Sequence, residues 1–130
     1  MGMDQTVTFG AGKTPAFAAA RDLLQQHCFP IQVRMIDGQL AFPDEIPPDD
    51  WHELRLGTPQ GMVTVRRDAD RLTLVTWGNA DQPLLQAWNA LTWAFAAAGN
   101  GEIVRGEQAL IAEDFRRSVD LPAGLKKATI

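Results

Sequence analysis

The chain has 130 residues, 45% of them hydrophobic and 22% charged, with 12 Lys plus Arg against 16 Asp plus Glu for a net charge of −4. That is the length of one ordinary domain, and the composition excludes a disordered tail, a collagen-like chain and a disulfide scaffold. The acidic balance argues against nucleic acid, whose phosphates demand net positive charge, and Cys28 as the only cysteine implies a reducing, cytoplasmic setting. Met1-Gly2-Met3-Asp4 offers neither a basic nor an apolar run, so no secretory signal is expected. The most apolar stretch, 84–98, is interrupted by Gln86, Asn89 and Thr92 and is too short for a membrane span.

The whole chain, 1–130, reads as one domain, with 1–13 and 124–130 loosely ordered. Thr14 as N-cap and Pro15 at the first helical position open a helix whose apolar residues Phe17, Ala20, Leu24 and Cys28 recur at helical spacing until Pro30. A hairpin follows, turning at Asp37-Gly38 and pairing Met35 with Leu40 and Val33 with Phe42. The proline-rich segment 43–50 is a rigid loop. Its acids Asp44, Glu45, Asp49 and Asp50 match no calcium loop and read as solvated surface.

Residues 52–77 form a three-stranded meander. Pro59-Gln60 pairs Leu56 with Val63 and Leu54 with Val65, and a four-residue turn at 67–70 keeps Leu72 and Leu74 on that same core face. On the opposite face this register aligns Glu53, Arg66 and Arg71 across three strands, and Arg55, Thr64 and Thr73 beside them, flanked by Trp51, Met62, Val75 and Trp77. A second helix from about Gln82 to Ala98 has Asp81 as N-cap and Gly99-Asn100-Gly101 as its stop. Its stripe Leu84, Trp88, Leu91 and Phe95 faces the core, while Gln86, Asn89 and Trp93 project the other way. A weak strand at 102–105 and a short helix across 107–119 complete the chain. The fold class is therefore α+β: an antiparallel sheet of about five strands, a hairpin plus a meander, with two main helices on one face and a short C-terminal helix.

Residues Gly10 to Thr14 end like a phosphate-binding loop, with Gly12, Lys13 and Thr14 as the contact residues, but Val7 stands where that pattern needs its first glycine. His27 and Cys28 point about 100° apart on a helix, so they make no nucleophile and base pair, and Cys28 reads as a buried thiol. Two His and one Cys are too few for structural zinc. No catalytic set, cofactor or metal is expected.

Two surfaces remain. Trp93 with Gln86 and Asn89 forms a helix face without charge, suited to a second chain unless the C-terminal segment covers it. Arg55, Arg66 and Arg71 beside Trp51 and Trp77 give the sheet face the composition of an interaction surface. The profile resembles that of small bacterial partner-binding proteins such as toxin-immunity proteins or secretion chaperones. The expected function is a non-enzymatic interaction domain acting as a homodimer or on a protein partner. The alternative is a small-molecule-binding domain or enzyme with a pocket between sheet and second helix.

Overall fold

The computed structural model describes residues 2–77, 80–105, 107–122 and 125; the side chain of Trp77 and, apart from Leu125, the expected loose tail 124–130 lie outside the described residues. Among the described residues the fold is α+β, with three helices and a large antiparallel sheet. The sheet has eight strands rather than about five, in the order β3-β2-β4-β5-β6-β1-β7-β8. The strands are β1 (Gly2–Thr8), β2 (Gln32–Ile36), β3 (Gln39–Leu40), β4 (Glu53–Thr58), β5 (Gly61–Asp68), β6 (Arg71–Trp77), β7 (Glu102–Arg105) and β8 (Gln108–Ile111), and the helices are α1 (Phe17–Gln26), α2 (Gln82–Gly99) and α3 (Ala112–Ser118).

The extra strands come from both ends of the described chain. Residues 2–8, expected to be loose, lie between β6 and β7, with Val7 opposite both Leu72 and Ile103. Residues 108–111, expected as the start of a helix, pair instead with β7, Leu110 opposite Ile103, and only then does α3 begin. β1, β7 and β8 thus continue the meander on its β6 side.

The expected hairpins form, but the first lacks its expected Val33–Phe42 pair and the last changes register. Leu56 pairs with Val63 and Leu54 with Val65. The next turn is two residues, not four, so Asp68 faces Arg71 and Val65 faces Leu74. Ala69 makes this turn with φ 54, in the left-handed region that hairpin turns require and that glycine or asparagine normally fills. Because the shift is two residues, every side chain keeps its face. Leu54, Leu56, Val63, Val65, Leu72 and Leu74 are all fully buried. Arg67, however, now ends the core-facing row of β5, and its guanidinium lies 4.9 Å from the ring centre of Trp51.

α2 packs on this buried face, and α1 packs against α2. α2 is capped by Asp81, whose carboxylate accepts from the Leu84 N–H at 3.0 Å, and it ends at Asn100 with φ 53. Trp88 donates its indole N–H to the Leu74 carbonyl at 2.8 Å, and Leu91 and Phe95 are fully buried. α1 begins later than expected, with Ala16 at the cap and no side-chain cap bond, because the Thr14 hydroxyl is engaged elsewhere. The helix ends at Gln26, so Cys28 is exposed rather than buried. It occupies the left-handed position (φ 59) of a closing turn in which its N–H donates to Gln25 and the Phe29 N–H donates to Leu24. No described helix is long and apolar enough to cross a membrane.

Candidate partner-binding surface

The helix face expected to meet a partner is covered by this chain itself. Trp93 is 7% exposed, with the His27 ring edge-on at 5.6 Å. Asn89 is buried: its amide oxygen accepts from Gln5 Nε2 at 3.0 Å, and its Nδ2 donates to the Asp120 carbonyl at 2.9 Å. Gln86 and Gln82 both donate to the Asp120 carboxylate, at 3.0 and 2.8 Å. The segment after α3 therefore takes the place proposed for another chain, and Val119, Leu121 and Leu125 are buried with the core.

The loop at 10–14 is filled in a comparable way. The Gly12 N–H and the Thr14 hydroxyl both donate to the Asp70 carboxylate, at 3.1 and 2.9 Å. A carboxylate stands where a phosphate would need to bind, and Lys13 remains exposed. Like charge at that position opposes an anion, so Gly12 and Thr14 serve as a tie to the β5–β6 turn.

The interval between sheet and α2 is packed with Trp88, Leu91, Phe95 and the sheet leucines, which belong to one buried cluster. The two clefts described lie elsewhere. One, of about 170 Å³, is lined by Pro30, Gln32 and Gly57 to Pro59; the other, of about 330 Å³, by Ile36, Asp37, Gln39, Leu40 and Glu45.

The far face of the sheet is open. Arg55, Arg66 and Arg71 are exposed there, as the sequence implied. Glu53 lies opposite Arg66 and holds its Nε at 3.2 Å, with Arg55 at 4.0 Å. Such exposed pairs contribute about 0–1 kcal/mol, and both guanidinium groups stay available to another molecule. Arg71 lies opposite Asp68 rather than in line with Arg66, and Val75, not Thr73, follows Arg55 and Thr64. Trp51 does not belong to this face. It is 1% exposed and under Arg67, because the chain bends before β4: the Trp51 N–H donates to Pro48, and Asp37 grips the next two amides.

The sequence reading missed the apolar part of this face. Pairing carries one row across the sheet from Leu40 through Met35, Arg55 and Thr64 to Val75. Leu40 is 89% exposed at the sheet's edge, and Phe42 and Ile46 in the following loop are 75% and 54% exposed. Phe42 was expected opposite Val33, but β2 bulges between Val33 and Met35 and the Val33 N–H bonds to the Pro43 carbonyl. That slip frees Phe42 from the sheet. The loop is nevertheless fixed. The Phe42 N–H donates to Glu45 Oε1 at 3.1 Å, the Glu45 N–H donates to the Phe42 carbonyl, and Pro47 is buried.

Asp37 anchors this corner. Its Oδ1 accepts from the His52 and Glu53 amides at 2.7 and 2.8 Å, and these backbone bonds, Glu53's foremost, hold its carboxyl below the usual range. Arg34 joins the face from β2: a Cβ on Gly57 would lie 2.8 Å from its Nε, so the glycine lets the Arg34 side chain pass close over β4. No family model, curated protein or solved structure matches the chain.

Proposed function

We propose that the chain is a non-enzymatic protein-interaction domain of the cytoplasm, acting as a homodimer or on a protein partner through the open face of its sheet. One observation carries this reading: large apolar side chains at Leu40, Phe42 and Ile46 stand exposed on a hydrogen-bonded, proline-stiffened corner. Leaving such groups in water forgoes about 1.5–3 kcal/mol each of burial, and apolar groups held rigidly in water are the usual mark of a docking surface. Arginine and methionine beside them (Arg55, Arg66, Met35 and Met62) match the residue types enriched at interfaces. The free Cys28 thiol fits a reducing compartment. The role consistent with this surface is regulatory, the holding or escorting of another protein.

Site-specific photocrosslinking tests the reading. A benzophenone side chain replacing Phe42 or Met62 should give a discrete protein adduct in the native cells, and one replacing Gln25 on exposed α1 should not. Equal labelling at all three positions, or no adduct at positions 42 and 62, rejects it.

A further inference from the structure

We infer that the occupant of the open face is a second copy of this chain, docked about a two-fold axis. The inference rests on the function proposed above and names the partner. Its basis is the distribution of charge around the apolar corner. From residue 35 to 51 the chain carries Asp37, Asp44, Glu45, Asp49 and Asp50 and no Lys, Arg or His. Immediately beside this acidic segment, the outer surface of β2, β4, β5 and β6 carries Arg34, Arg55, Arg66 and Arg71, all exposed, against the acids Glu53 and Asp68, the latter opposite Arg71. The apolar residues Leu40 and Met35 lie between the acidic segment and Arg55, and Met62 lies on the far side of the arginines, opposite Gly57.

A surface that is acidic on one side of an apolar seam and basic on the other is complementary to itself. Rotation by a half-turn about an axis through the seam lays the acidic segment of each copy over the arginines of its partner, and apolar groups meet apolar groups at the centre. This is the pattern that an isologous interface demands, each patch meeting the same patch on the other subunit. The acidic segment alone would suit a basic partner and the arginines alone an acidic one; a copy of the chain supplies both in the matching order. The loop's hydrogen bonds and prolines fix its shape before docking, so little further ordering opposes association.

The experiment is sedimentation velocity and light scattering across a concentration series, at low and at high salt. The expected result is a monomer–dimer equilibrium that weakens with salt, because part of the interface is ionic. Phe42→Ser should raise the dissociation constant at least about tenfold, or about 1.4 kcal/mol, with an unchanged circular dichroism spectrum, since Phe42 is mostly exposed. Arg55→Glu should weaken the dimer likewise, and adding Asp44→Arg to that variant should recover part of the loss. A chain that stays monomeric throughout overturns the inference. So does a dimer indifferent to Phe42→Ser and to the charge exchange. If the chain is monomeric while the probe at position 42 captures a different protein, the interaction reading stands and the self-docking inference fails. If that probe captures nothing, both fail.

Discussion

At the scale of single residues, Asp37 does more than terminate a hairpin. The Asp37-Gly38 turn needs two left-handed residues, and both have positive φ (50 and 83). Aspartate meets that need while its carboxylate reaches across to the His52 and Glu53 amides, so one side chain fixes both the hairpin and the entry to β4. Its pKa lies below the ordinary value of 3.8 because the folded chain hydrogen-bonds the charged form. The sign follows directly. A group whose folded pKa is depressed contributes stability above its unfolded pKa, and that contribution disappears as the pH falls through the folded value. Asp37→Asn keeps an oxygen acceptor but not the charge. Urea titrations should therefore show the variant less stable at neutral pH, with the difference closing below about pH 4. A difference that stays constant with pH would mean that the carboxylate charge adds nothing to the hydrogen bonds.

The elements explain how much of the fold could be read from sequence. α2 was legible because Asp81, Pro83 and the Gly99–Gly101 stop bracket a clean helical stripe, and β4 and β5 because their leucines and valines alternate without interruption. β1 was not, because a core-facing position is a glutamine. Gln5, 2% exposed, satisfies its Nε2 with Asn89 and Thr92, partners 84 and 87 residues away, which no local pattern reveals. The same distant bonds turn Asn89 inward, against a reading that placed it on a free face. β8 was hidden by ambiguity: Leu110, Ile111 and Phe115 suit a helix, but Leu110 is drawn opposite Ile103 to extend the sheet. The end of α1 was misread for a chemical reason. Cys28 holds a left-handed cap that glycine ordinarily fills, and its Cβ crowds the backbone at φ 59. Cys28→Gly should thus stabilise the protein by about 1 kcal/mol, the left-handed strain exceeding the entropy that glycine adds to the unfolded chain. Chemical denaturation of the two proteins measures it, and a destabilised variant would show that the thiol makes contacts that outweigh the strain.

At the scale of the whole molecule, α2 covers one face of the sheet, the other face is open among the described residues, and the core is closed from the α2 side. α2 is buried along 87–96, more than a single sheet face can cover. α1 lies against it on one flank, and the segment after α3 closes the other. Arg116 supports this closure: it is 8% exposed, donates to Glu113 at 2.6 Å and reaches the Leu125 carbonyl at 3.5 Å. Asp120 accepts from three α2 side chains, and Val119, Leu121 and Leu125 enter the core around it. A terminal strap of this kind is weak if it rests on polar contacts near water, each contributing about 0.5–1.5 kcal/mol, and strong if its apolar anchors carry it. Leu121, 4% exposed, separates the two cases. If the anchors dominate, Leu121→Ala should cost about 2–4 kcal/mol, the range for a buried leucine replaced by alanine, out of the roughly 5–15 kcal/mol that such a domain has in total. The urea midpoint should then fall with an unchanged slope, because the strap unfolds together with the core it closes. A loss below about 1 kcal/mol, or a separate early transition reported by tryptophan fluorescence, would mean that the strap detaches independently. The face of Gln86, Asn89 and Trp93 would then be intermittently open to a partner after all.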